Sequence, residues 1–285
     1  MTRMDLSRGV VLALGGGGVR GLAHLGFLAE LESAGVGIRA IAGTSSGALM
    51  GALWLLNGAA PAIQKVRAFT VSGLVGDVPD LQGTENHGSG RSLWTHLRLV
   101  GTLLRAVLAG PALTGEQLLE RVEFFLPETS IEALARPFIV VATDSETGEE
   151  VRLTRGSLRL AVAASSAMPG LAPPILWAGR SLQDGGAVAE VPVRAARDLG
   201  RPVVAVEVSE ATPPLAGGGE RVPRALFRAA AMGWAELRRR MLAEADVVVA
   251  PAVNHLHWAN YRALDEAVEA GRLAGRAFLA GAMGG

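Results

Sequence analysis

The sequence predicts an α/β protein: a mostly parallel central sheet covered by helices on both faces, in three α/β/α layers. Three observations predict it. The chain opens as strand, helix, strand, helix, an alternation that needs crossover connections and therefore parallel strands. Its strand candidates are short unbroken apolar runs, as expected of strands buried on both faces. Hydrophobic residues make up 49% of the chain and charged residues 19%, which favours a large buried core over a disordered chain.

Val10 to Leu14 reads as the first strand and runs into a glycine loop, Gly15 to Gly21. Val19 to Ala34 reads as a helix, which Gly35 and Gly37 end before the second strand, Ile38 to Ala42. Ser46 to Leu56 is the second helix. The apolar stretch Ala48 to Ala60 is too short to span a bilayer and reads as a buried core helix. Between Thr70 and Gly115 the alternation stops. Gly-rich polar sequence from Gly83 to Gly90 precedes an apolar helix from about Ser92 to Leu108, and residues 70–115 read as a variable, lid-like region. Leu93, Leu97 and Leu104, with Arg91, Arg98 and Arg105 nearby, suit an interface-seeking amphipathic helix as well as core packing.

Gly115 to Phe125 reads as a helix and Pro137 to Thr143 as a central strand. Asp144 to Glu150 turns into a partner strand, Val151 to Thr154, and Leu158 to Ser166 is helical. Leu182 leads to Asp184-Gly185-Gly186, and Val203 to Val208 is another buried strand. Arg224 to Ala245 is a long helix, Val247 to Ala250 the last strand and Tyr261 to Leu279 the closing helix. Pro213 to Glu220 is linker-like in composition, but the same alternation flanks it on both sides, so residues 1–285 read as one domain.

The charge balance is even, Lys+Arg 27 against Asp+Glu 27, so the chain carries no global footprint for nucleic acid and no nucleic-acid partner is expected. Cysteine is absent, which removes disulfides, thiolate nucleophiles and cysteine metal sites together. The N-terminal apolar run enters the glycine loop without a signal-peptidase site. With no transmembrane segment either, the expectation is a cytoplasmic protein, with peripheral contact at the inner membrane face as an extension of it.

Two motifs carry chemistry. Gly43-Thr44-Ser45-Ser46-Gly47 lies between a strand and a helix, the setting in which a tight turn holds a serine hydroxyl up for attack. Such a serine also makes an ordinary N-cap. Gly16-x-Gly18-x-x-Gly21 matches a dinucleotide fingerprint, but the second strand runs into Gly43 rather than ending in the acidic residue that would hold a ribose. Beside a purely structural tight turn, the remaining chemical reading is an oxyanion hole, because unpaired amides at a helix N-terminus converge on one spot and favour negative charge.

A serine needs a base. Ser45, Asp184 and then His255 or His257 would follow the chain order of an α/β-hydrolase triad. Alternatively Asp184 acts directly: Gly185 and Gly186 let its carboxyl approach another loop closely, and partial burial would raise its basicity. A non-catalytic lipid-binding protein is the third class compatible with these residues. His24 reads as a packed residue of the first helix.

The chain resembles the patatin-like phospholipase family, and most its small stand-alone bacterial members. The matching blocks are Gly16-Gly17-Gly18-Val19-Arg20-Gly21, Gly43-Thr44-Ser45-Ser46-Gly47, Ala164-Ser165-Ser166-Ala167-Met168-Pro169 and Asp184-Gly185-Gly186, in the family's order and within residues 10 to 280. It departs at Gly15, where plant members often carry Asp. The resemblance implies the patatin-like α/β/α fold and a serine acyl hydrolase with a Ser45–Asp184 dyad. It also implies backbone amides of Gly16, Gly17 and Gly18 as oxyanion donors, with Arg20, Gly21, Gly43, Gly47, Gly185 and Gly186 in support. The implied partner is a lipid or other acyl ester, with no metal or organic cofactor in the reaction.

Overall fold

The computed structural model describes residues 4–75, 113–209 and 222–283. Eight strands form one sheet: β1 (Val10–Leu14), β2 (Ile38–Thr44), β3 (Phe138–Asp144), β4 (Glu150–Leu153), β5 (Ile175–Trp177), β6 (Arg180–Asp184), β7 (Val203–Val206) and β8 (Val247–Val249). Their order is β5-β6-β3-β2-β1-β7-β8, with β4 also paired to β3. The pairs β1–β2, β1–β7, β2–β3 and β7–β8 are parallel, whereas β4 and the β5–β6 hairpin join antiparallel. The mostly parallel sheet is therefore as the alternation predicts.

Helices α1 (Leu22–Ser33), α2 (Ser46–Asn57), α3 (Ala59–Thr70), α4 (Gly115–Phe125), α5 (Leu158–Ser165), α6 (Gly186–Ala189), α7 (Val193–Asp198), α8 (Val222–Leu242) and α9 (Leu264–Met283) complete it. Strand periodicity divides the core in two, since alternate residues face opposite sides of the sheet. Val10, Leu12 and Leu14 of β1 join the larger core with Leu25, Leu28 and Leu53. Val11 and Ala13 join a second core rich in small residues, including Ala195 and Ala196 of α7 and Met241 of α8. Helices thus cover both faces.

The structure corrects several boundaries. The helix expected from Val19 begins as a 3-10 turn, Gly18–Gly21, before α1. The stretch Ala48 to Ala60 is not one helix: Gly58 takes a φ of 75° and separates α2 from α3, a conformation that costs glycine little. The Glu32 carboxylate secures the break by accepting from Trp54 Nε1 at 2.9 Å and from the Ala59 amide at 3.0 Å, placing negative charge at a helix N-terminus. The short elements β5, α6 and α7 have no counterpart in the sequence reading. The lid-like interval of 70–115, apart from its ends, the 92–108 helix and the 213–220 segment lie outside the described residues.

Two glycines let α1 and α9 touch backbone to backbone. A Cβ on Gly26 would collide with the Val268 carbonyl, and one on Gly271 with the Ala23 carbonyl. Gly271→Ala is expected to destabilise the fold by about 1–3 kcal/mol, because overpacking a rigid contact outweighs the gain in helix propensity. A melting temperature several degrees lower would show it; one at or above wild type contradicts this close packing.

Candidate active site

Strand β2 runs two residues further than its apolar pattern suggests and delivers Ser45 directly at the start of α2. Ser45 has φ 53° and ψ −120°, a strained backbone for a residue with a Cβ, of the kind that persists only where its surroundings enforce it. Gly43 and Gly47 make the turn sterically feasible. A Cβ on Gly43 would lie 2.6 Å from Ala48 Cα, and one on Gly47 would lie 2.7 Å from the Gly15 carbonyl oxygen. Although Ser45 occupies the N-cap position of α2, its side chain makes no capping hydrogen bond. The hydroxyl instead acts on the Asp184 carboxyl, favouring its charged form.

Asp184 closes β6, paired with Ala142 of β3, and is 6% exposed. Burial pushes its pKa from 3.8 up to about 6, against the opposing hydrogen bonds from Gly186 and Ser45. The Gly186 amide donates to Oδ1 at 2.7 Å, and Gly185 lets its backbone lie against the Val141 carbonyl, where a Cβ would collide. Asp144, on the neighbouring strand, has the opposite character: the Arg180 guanidinium and the amides of Thr147 and Glu146 hold it down at about 2. Of these two carboxyls only Asp184 combines basicity with contact to the serine.

The glycine loop lies against the same serine, since a Cβ on Gly16 would stand 3.3 Å from Ser45 Cβ. Its amides are not equivalent. The Gly15–Gly16 peptide is held at both ends: His24 Nε2 donates to the Gly15 carbonyl at 2.8 Å, and the Gly16 amide donates to the Glu190 carbonyl at 2.9 Å. Val19 N–H donates to Trp258 O at 2.7 Å. The amides of Gly17 and Gly18 have no acceptor among the described residues. Of the three glycine amides expected as donors, that of Gly16 is therefore already engaged in fixing the loop.

His24 is fully buried, and desolvation lowers its pKa to about 4. A carbonyl can only accept, so the neutral ring carries its proton on Nε2. Its role as a loop anchor is not visible in the sequence, where it reads only as a packed helix residue. Arg20 is 5% exposed and donates through Nη1 to the Leu256 carbonyl at 3.2 Å, so it ties the loop to the C-terminal segment. Gly21 makes room for Ser46, whose Oγ would collide with a Cβ there.

The histidines of the alternative triad have other partners. His255 Nε2 lies 2.8 Å from Glu266 Oε1 on the exposed surface. His257 Nδ1 accepts from the Ala259 amide at 3.3 Å. Among the described residues, no histidine acts on the Asp184 carboxyl.

A mixed α/β sheet that presents a strained serine beside a glycine loop, with a buried carboxyl of raised pKa at the end of another strand, has the layout of a serine hydrolase. The chain belongs to the patatin-like phospholipase family, whose profile matches residues 12–197, a span containing Gly16 to Gly18, Ser45 and Asp184. An uncharacterised NTE family protein of Mycobacterium tuberculosis is 31% identical over 98% of this chain and 48% of its own length. Patatin-like phospholipase domain-containing protein 6 of Mus musculus is 28% identical over 88% of this chain and 17% of its own. The chain therefore spans about half the length, or less, of the curated relatives it matches. Among solved structures, VipD from Legionella pneumophila aligns with a TM-score of 0.44 at 17% identity, covering 97% of this chain and 67% of that one. No helix among the described residues is long and apolar enough to cross a membrane.

Proposed function

We propose that the protein is a serine acyl hydrolase that cleaves lipid acyl esters, of phospholipids, lysophospholipids or neutral acylglycerols, through Ser45 and Asp184. The observation that carries the proposal is the strained strand-to-helix turn that presents Ser45, whose hydroxyl acts on the buried Asp184 carboxyl. Family membership supports the lipid substrate class.

In this mechanism the Asp184 carboxylate takes the Ser45 proton as Oγ attacks the ester carbonyl. Negative charge develops on the carbonyl oxygen, and the Gly17 and Gly18 amides are the donors left to receive it. Collapse of the tetrahedral intermediate expels the alcohol, which takes the proton back from Asp184, and leaves an acyl group on Ser45. Asp184 then deprotonates a water that attacks the acyl-enzyme; the acid leaves and the serine is restored. Every proton has a donor and an acceptor within the chain and its substrates, so the reaction calls on no metal or organic cofactor. Peripheral contact with the lipid surface would bring the enzyme to its substrate.

Catalysis needs the ionised carboxylate, so activity should rise with pH as Asp184 loses its proton. With the pKa at about 6, kcat/KM is expected to climb with unit slope and reach half its plateau near that pH. His24 is neutral throughout that range and adds nothing to the limb. An ascending limb at pH 4 would contradict a buried base.

Parallel assays of short and long acyl esters, phospholipids and lysophospholipids, on wild type and Ser45→Ala, test the proposal. Hydrolysis is expected in wild type alone, and equal rates in both proteins would sink it.

A further inference from the structure

Ser45 is held in place by a residue far away in sequence. Its amide donates to Ser165 Oγ at 2.8 Å, and Ser165 Oγ–H donates to the Val141 carbonyl at 2.6 Å. Ser165 is fully buried at the last turn of α5, so its hydroxyl links α5, β3 and the serine turn. Two residues on, the Ala167 carbonyl accepts the Asp184 amide at 3.0 Å. One short segment thus grips the backbone of both reacting residues. The Val141 carbonyl that orients the Ser165 hydroxyl also packs against Gly185, where a Cβ would collide.

We infer that Ser165 is a positioning residue for acyl transfer: its hydroxyl holds the Ser45 amide, and with it the strained backbone that aims Oγ at Asp184. The inference rests on Ser45 being the nucleophile. Its physical content is that a buried hydroxyl satisfies two backbone groups at once, one of which belongs to a turn that would otherwise relax. A small relaxation is enough to matter, because misplacing a reacting atom by about 1 Å costs on the order of 100-fold in rate.

The test compares Ser165→Ala, Ser165→Cys and Ser165→Thr with wild type on a soluble chromogenic acyl ester. A folding control, Ile63→Ala, removes buried volume from α3. Ser165→Ala is expected to lose roughly 30- to 100-fold in kcat with KM within about twofold, since geometry rather than binding is disturbed. Its rate of phosphonylation by a fluorophosphonate should fall in parallel. Ser165→Cys keeps the shape of the side chain with a somewhat larger atom but offers a weaker acceptor and donor, and should be slowed as well. Ser165→Thr keeps the hydroxyl and should recover most of the activity, while Ile63→Ala loses melting temperature with kcat unchanged.

A Ser165→Ala or Ser165→Cys enzyme with wild-type kcat overturns the inference. So does an activity loss that Ile63→Ala reproduces at equal loss of melting temperature. Should Ser165→Ala not fold, the contrast between Cys and Thr decides, and equal kcat in the two counts against it. In wild type the Ser45 amide should exchange hydrogen slowly although it lies outside the strand ladders; exchange at the unprotected rate overturns the inference without any variant. Absence of both turnover and labelling in folded wild type would count instead against Ser45 as nucleophile.

Discussion

Asp184→Asn is expected to lower kcat by roughly four orders of magnitude, the upper range for removing a general base or a triad carboxylate. The substitution keeps the size of the side chain and leaves an amide oxygen able to accept from Gly186 N–H, but a neutral amide cannot take the Ser45 proton. Stability should move the other way. Because the folded-state pKa of Asp184 is raised above its ordinary value, the native protein binds this proton more tightly than the unfolded chain. Its contribution is therefore most favourable below pH 3.8 and is lost as pH rises through about 6. At pH 8 the buried carboxylate costs on the order of 3 kcal/mol relative to its protonated form. Asn carries no charge, so the variant should melt at or above the wild-type temperature at pH 8, with the gap closing towards pH 5. A variant that loses activity and also melts well below wild type at pH 8 would mean that the carboxylate holds the fold together, contrary to a role as general base alone.

Gly18→Ala is the second large effect, expected at roughly 100- to 1000-fold in kcat, the loss typical of a disabled oxyanion donor. Gly18 has a φ of 59°, and a Cβ there would collide with the Trp258 carbonyl. That carbonyl already receives the Val19 amide, so the loop cannot yield without losing a bond that sets its shape. The amides of Gly17 and Gly18 would turn away from the substrate oxygen while Ser45 and Asp184 stay in place. KM should change little, since the interaction strengthens only as charge develops. Gly35→Ala is the matched control. Its φ of 67° imposes similar strain, but nothing lies near its Cβ position, so it should cost about 1 kcal/mol of stability and no activity. Equal turnover in Gly18→Ala and wild type would remove the glycine loop from the mechanism.

Much of the fold is legible because strand and helix signals are local. The apolar runs of β1, β2, β3 and β7 mark buried parallel strands, and Gly115 to Phe125 matches α4 to the residue. Elements whose cause is distant are not legible. β5 has three residues and exists by pairing with β6, and the division of Ala48–Ala60 depends on Glu32 reaching across from α1. The same divide runs through the site. Ser45, Asp184 and the glycines stand out because tight turns force glycine beside the functional groups, a constraint written next to each residue in the chain. That Gly16 spends its amide on Glu190, that His24 anchors Gly15 and that Ser165 holds Ser45 are contacts the chain makes only once folded. The one signal for Ser165 is its place in the Ala164–Pro169 block, which has no local chemistry of its own.

The central claim is that Ser45 is a nucleophile activated by Asp184, and covalent capture tests it most directly. Folded wild-type protein at pH 8 is treated with a fluorophosphonate, and the modified peptide is identified by mass spectrometry. A single adduct on Ser45 is expected, absent in Ser45→Ala and formed far more slowly in Asp184→Asn. An adduct on a different residue, or equal labelling rates in Asp184→Asn and wild type, would contradict the account.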